Sequence, residues 1–228
     1  MAPEHPLVPV SLVLTGRSCL LVGGREVALG RARQLLDAGA ELTVVATEVT
    51  DELRSLVEDR AGHVATRAYS PGEAAHYFLV VAATGDAEVN AAVLADADRA
   101  GTFVNAVDDL EHSSVHFPAV FRAGPVSVAV SSSASSPALA RWLRDRIGEE
   151  HGADAAALAA LLAPVRSALR GAGHSSEGRD WFGLIDALRR ALHTGEDAAQ
   201  VAASWLKSEL DRSNGESPRG ASETETGE

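Results

Sequence analysis

The stretch Cys19-Leu20-Leu21-Val22-Gly23-Gly24-Arg25-Glu26-Val27-Ala28 decides the fold. Residues 18–22 form a continuous apolar run, the pattern of a strand buried on both faces of a parallel sheet. Two glycines follow. Residues 27–38 then place Val27, Ala28, Ala32, Leu35 and Leu36 on one helical face, with Gly39 as a stop. Strand, glycine turn and helix form the βα unit that binds dinucleotides. In such a unit the first glycine permits the turn, the second lets backbone approach the pyrophosphate, and the third position stays small so that helix and strand can pack. Gly23 fills the first place and Ala28 the third, whereas Arg25 fills the second. A side chain there either obstructs a phosphate or, turned outward, pairs with it, because a guanidinium matches phosphate well. The N–H groups at the helix start would face the phosphates. The acid expected after the second strand is Glu48, one or two positions beyond Ala46 and Thr47. Alone, the fragment fits either a dinucleotide site or a glycine turn kept for packing.

Outward from this unit the pattern continues. Strands are expected at residues 41–46, 64–69, 78–83 and 102–107, and helices at 50–59 and 86–100. That alternation predicts a doubly wound α/β domain, a Rossmann-like parallel sheet. The pattern changes between residues 110 and 135. Residues 119–122 and 126–130 flank Ala123-Gly124-Pro125 and predict a small β-ribbon. Helices are then expected at 137–149, 153–170, 179–192 and 197–210, with Pro137 in a first helical position and Ser135 or Ser136 as its cap. The expected organisation is a dinucleotide-binding domain over 1–112, a dimerisation and tetrapyrrole-side segment over 113–150, a helical domain over 151–212 and a disordered acidic tail over 213–228.

Composition narrows the function. A net charge of −12 argues against a general nucleic-acid binder and against an anionic membrane surface. With 46% hydrophobic but only 4% aromatic residues, Val, Leu and Ala must fill the core, and Trp142, Trp181 and Trp205 are expected as packing anchors. The single cysteine, Cys19, lies in an apolar run and reads as a buried structural thiol. Residues 1–9 lack a signal-peptide pattern, and no apolar run approaches bilayer-spanning length, so a cytoplasmic protein is expected.

Several ordered blocks resemble the family of precorrin-2 dehydrogenase and sirohydrochlorin ferrochelatase, the N-terminal module of siroheme synthase. They are Val22 to Ala28 with Arg31-Ala32-Arg33, Arg67-Ala68-Tyr69-Ser70-Pro71, Ala82-Ala83-Thr84-Gly85-Asp86 with Asn90, and Val104-Asn105-Ala106-Val107-Asp108-Asp109. Phe117-Pro118-Ala119-Val120, Ser131-Ser132 and Ser135 to Arg141 complete the set. The resemblance implies NAD-dependent oxidation of precorrin-2 to sirohydrochlorin, with Fe2+ insertion as a further step, in a homodimer. It implies that Gly23, Gly24, Arg25, Glu26, Val27, Thr84 and Asn105 bind the cofactor, that Asp108 handles protons, and that Ser132 faces the tetrapyrrole. A polycarboxylate substrate needs a local basic patch on an acidic protein, and Arg122, Arg141 and Arg144 are the candidates.

Some positions depart from that resemblance. Leu110 stands where proline is frequent, and His116 where an apolar residue is usual. Ser133 and Ala134 replace a glycine pair, which predicts a loss of positive-φ freedom. His112 and His116 have metal-grip spacing only if their segment is helical, and it reads as irregular, so no resident metal is expected. Arg25 leaves open a chelatase without dehydrogenase activity. The altered serine loop and His116 leave open a non-catalytic tetrapyrrole-binding or regulatory protein.

Overall fold

The computed structural model describes residues 7–133 and 135–215. Ala134 and most of the acidic tail lie outside the described residues. The chain divides into two compact units. The first comprises residues up to 118 together with 131–136, and the second comprises 119–130 and 137 onward.

The first unit is a parallel sheet of five strands: β1 (Ser18–Val22), β2 (Glu41–Ala46), β3 (His63–Thr66), β4 (Leu79–Ala82) and β5 (Phe103–Ala106). Their order is β3-β2-β1-β4-β5. Three helices connect them: α1 (Glu26–Asp37), α2 (Asp51–Glu58) and α3 (Ala87–Ala100), with a short 3-10 turn at Glu73–His76. Strand β1 is buried on both faces, as its unbroken apolar run predicts. Cys19 and Leu21 pack with Ala28, Ala32, Leu35 and Leu53 under α1 and α2. Leu20 and Val22 pack with Val93, Leu94 and Ala97 of α3. Burial pushes the Cys19 thiol up to about 11, in keeping with a structural role. Thr50 caps α2 through Leu53 N, and Asp86 caps α3 through Glu88 N and Val89 N.

Chain order reverses at β1, with β2 on one side and β4 on the other. The crevice at the carboxyl ends of these strands is where open α/β sheets bind ligands.

The second unit opens with a hairpin of β6 (Ala119–Ala123) and β7 (Val126–Val130), then α4 (Pro137–Gly171), α5 (Trp181–Thr194) and α6 (Ala198–Gly215). Two helices were expected where α4 runs unbroken for 35 residues, so the boundary expected at residue 150 falls inside it. Gly148 and Gly152 resemble stop signals but make room for a ring. A Cβ on either would come within 2.8 or 2.9 Å of Phe121 from β6. The far half of α4 packs on α5 and α6 through Val165, Leu169, Leu184, Leu188, Ala191 and Ala202.

By length and composition alone, α4 is also long and apolar enough to cross a membrane, contrary to the sequence reading. Its alanines raise the hydropathy, yet its Asp154 is held by Arg189 Nε at 2.7 Å and His193 Nε2 at 2.9 Å from α5. Helix α6 reaches Gly215, so the tail expected from residue 213 is helical at its start. Trp181 and Trp205 stack with centroids 5.1 Å apart, as anchors should, but Trp142 is 55% exposed and is not one.

Candidate active site

The site is built where the crossover crevice meets the glycine turn. Gly23 adopts φ +134°, and a Cβ there would strike the carbonyl oxygen of Ala83 beyond β4. A Cβ on Gly24 would strike the carbonyl oxygen of Glu48 beyond β2. Both glycines are therefore required by backbone approach, Gly23 by its positive φ as well. Gly23 N donates to Val45 O at 3.0 Å and Thr50 N to Gly24 O at 3.0 Å, which fixes the turn between the two loops. Ala28 is fully buried, as the third fingerprint position requires.

Arg25 is the N-cap of α1, in extended backbone, and no side chain caps this helix. The first N–H groups of α1 are thus left for a ligand. The Arg25 guanidinium reaches Glu48, Nη2 to Oε2, at 3.1 Å. Its head is therefore held at the end of β2. Glu26 lies exposed in the first turn, and Val27, expected on the core face, is instead 51% exposed there. An apolar side chain facing outward at a nucleotide turn is available for contact with a ligand. This turn fits a dinucleotide in that its glycines let the neighbouring loops close on it, the helix start is uncapped and the third position is packed.

The residue expected to handle protons lies beyond the carboxyl ends of β4 and β5. Asp108 follows β5 and is exposed. Both of its carboxylate oxygens accept from Asn90 Nδ2, at 2.8 and 3.0 Å. Asn90 is 2% exposed, in the first turn of α3. Its own oxygen accepts from the Thr84 hydroxyl at 2.7 Å, which turns its amide nitrogen toward Asp108. Thr84, expected to bind cofactor, thus orients Asn90 and also accepts from Asp86 N at 3.0 Å. Asn90 was quoted in the sequence only as part of a motif block. Its contact with Asp108 spans 18 positions and has no local signal.

Asn105 differs from expectation. It is fully buried in β5, and its Nδ2 donates to Val115 O at 2.8 Å, tying the strand to the following segment. Its Oδ1 is the buried side-chain atom left without a partner among the described residues. Asn105 is thus a buried tie between β5 and the following segment, with its oxygen as the polar atom left over.

The segment after Asp108 is pinned from several sides. Ser113 Oγ accepts from Ala106 N and Ser114 Oγ from Val104 N, each at 2.8 Å. Arg31 of α1 lies over the Phe117 ring, 4.4 Å from its centroid, and burial lowers the guanidinium pKa. His112 Nδ1 lies 2.9 Å from Asp109, and His116 Nε2 lies 2.9 Å from Leu110 O. The His112 imidazole holds the Asp109 carboxyl below its ordinary range, and the same bond raises the imidazole. Each histidine thus has a partner within its own loop.

Ser132 is placed in the first unit, where its Oγ accepts from Ser136 N at 3.1 Å. That is a turn hydrogen bond ahead of α4. Ser133 retains a positive φ of 48° although it is not glycine, so the expected loss of that conformation did not occur. Arg122, Arg141 and Arg144 belong to the second unit. Arg122 is exposed on β6, Arg141 Nε donates to Pro137 O at 3.4 Å, and Arg144 Nε donates to Asp145 at 2.8 Å.

The chain is similar to several known proteins. The family model described as "Putative NAD(P)-binding" matches residues 10–119, a span that contains the whole site from Gly23 to Asp108. Siroheme synthase 2 of Aeromonas hydrophila is 39% identical over 211 residues, covering 92% of this chain and 44% of its own length. Siroheme synthase of Chromobacterium violaceum is 42% identical over 198 residues, covering 85% and 42% respectively. The chain therefore spans less than half the length of these curated relatives. A solved structure of SirC, a precorrin-2 dehydrogenase, shares the fold with a TM-score of 0.67 at 23% identity, over 92% of this chain and 100% of that one.

Proposed function

We propose that the chain, which is similar to the N-terminal part of siroheme synthases, oxidises precorrin-2 to sirohydrochlorin with NAD as the acceptor. The observation that carries this reading is the presence, in one unit, of a glycine turn at an uncapped helix start and of Asp108 clamped by Asn90. When bound, the nicotinamide ring supplies the hydride acceptor.

This chain's residues do the rest. Gly23 and Gly24 make the tight turn that sets the start of α1, and the first turn of α1, including Glu26 and Val27, faces the diphosphate. Oxidation to the more conjugated macrocycle removes a hydride and a proton. Asp108, at the end of a strand and open to solvent, accepts the proton. Asn90 and Thr84 hold the carboxylate in one orientation, which limits the misalignment that slows proton transfer. Arg122, Arg141 and Arg144 are the proposed partners of the substrate's carboxylates, with Ser132 on the tetrapyrrole side. We place the protein in the cytoplasm as a homodimer.

The test is anaerobic incubation of folded protein with precorrin-2 and NAD, followed by absorbance. NAD-dependent sirohydrochlorin is expected, and its loss in Asp108→Ala. Absence of product from folded wild type overturns the reading. A second reading, insertion of Fe2+ into sirohydrochlorin, is favoured by the same Asp108, since loading a metal also removes protons from ring nitrogens. In that case, metal insertion persists without added NAD.

A further inference from the structure

We propose that His112, oriented by Asp109, is a second proton acceptor that works beside Asp108 when a metal enters the macrocycle. The inference rests on the reading that the chain inserts Fe2+ into sirohydrochlorin.

The chemistry asks for a second group. Fe2+ replaces two N–H protons of the ring, one for each positive charge, and both protons must leave. A carboxylate holds one. Asp108 alone would have to discharge the first proton before taking the second.

The segment after β5 folds a second acceptor into the loop of Asp108. Asp109 N donates to Ala106 O at 3.3 Å and Ser113 N to Leu110 O at 3.4 Å, so two successive turns carry the chain away from the strand and back. Ser113 Oγ accepts from Ala106 N at 2.8 Å and donates to Asp109 O at 2.6 Å, which closes the loop on the end of β5. Asp108 and His112 both lie within this closed loop and are exposed, whereas Val107, Asp109 and Leu110 are half-buried.

The imidazole has a fixed orientation. Its Nδ1 lies 2.9 Å from each carboxylate oxygen of Asp109, and its backbone N donates to Oδ1 at 3.2 Å. A carboxylate only accepts, so in the neutral ring Nδ1 carries the hydrogen and Nε2 keeps its lone pair. Nε2 has no hydrogen-bond partner among the described residues, and the side chain is 70% exposed. Asp109 and Glu111 are the charged groups that bear on the ring, and both make it more basic. The other histidine of the segment, His116, is already engaged with Leu110 O. A base poised near neutrality is suited to taking protons at physiological pH.

The experiment runs anaerobic Fe2+ insertion, corrected for the spontaneous rate, beside NAD-dependent oxidation. It uses wild type, His112→Gln, His112→Ala and Asp109→Asn, with thermal melts as the fold check. Glutamine keeps a donor for Asp109 but accepts no proton. In both His112 variants insertion falls by about tenfold or more relative to oxidation, within the reach of general base catalysis. Added imidazole restores insertion in His112→Ala. In wild type, insertion declines as pH falls through the raised His112 pKa, because the protonated ring cannot accept. Asp109→Asn moves that decline to lower pH. Equal loss of both activities without rescue by imidazole, or an acid limb that stays in place in Asp109→Asn, overturns the inference. Wild type that inserts no iron above the spontaneous rate overturns the parent reading and this one together.

Discussion

Asn90 carries more of the site than its size suggests. Its amide satisfies both oxygens of Asp108 while its own oxygen is anchored by Thr84. Truncation leaves the carboxylate free to rotate and the Thr84 hydroxyl in need of a new acceptor. For Asn90→Ala we expect a loss of about 1–3 kcal/mol in stability, typical of a buried polar network broken on one side. The turnover rate should fall by about tenfold or more with dinucleotide affinity nearly unchanged. Comparing kcat with a calorimetric Kd separates this from general damage, which would weaken both.

A second residue-scale prediction concerns His112. Hydrogen bonding to Asp109 raises its imidazole and lowers the carboxyl. The contribution of the charged imidazole is full below its ordinary pKa and lost as pH rises through the raised value. That of Asp109 is full above its ordinary pKa and lost as pH falls through the depressed one. The pair thus holds the segment after Asp108 through the mildly acidic range. NMR titration should place the His112 midpoint above that of a free imidazole, and Asp109→Asn should bring it back down. An unshifted wild-type midpoint would refute the pairing.

At the scale of elements, the first unit was legible because its rules are local. The apolar run of β1 and the apolar-rich segment of β2 marked both strands with the observed bounds, and Thr50 and Asp86 marked helix starts. Helix α4 was read as two because the role of its glycines is set by a residue far away. Phe121 lies against both Gly148 and Gly152, one turn apart, and nothing near either glycine announces it. The double change Gly148→Ala/Gly152→Ala should gain helix propensity of about 1 kcal/mol per site. Crowding the ring costs about 1–3 kcal/mol or more at each of the two contacts. We expect urea unfolding to show net destabilisation with Phe121 present. With Phe121→Ala the same two alanines should become stabilising, so the effect reverses sign. The candidate site divides in the same way: the glycine cradle follows from a contiguous motif, whereas the clamp on Asp108 depends on how β4 and β5 lie side by side.

For the whole molecule, the proposed activity asks an acidic chain with a net charge of −12 to receive a polycarboxylate. The proposed contacts, Arg122, Arg141 and Arg144, all lie in the second unit, whereas Asp108 and the cradle lie in the first. Replacing Arg141 and Arg144 by glutamate should raise the KM for precorrin-2 by about tenfold or more, and added salt should then lower that KM because it screens a repulsion. NAD affinity, measured separately, should not move. Equal loss of both would mean that the arginines support the fold rather than the substrate.

Cys19 is wholly buried at the centre of the five-stranded sheet, and its thiol is pushed up to about 11. The chain therefore contains a silent reporter. A thiol reagent meets no reactive native target while the sheet is intact, so its rate of attachment to Cys19 clocks how often the core strand opens. The same silence lets one engineered surface cysteine carry a probe without background, placed on whichever unit is to be watched.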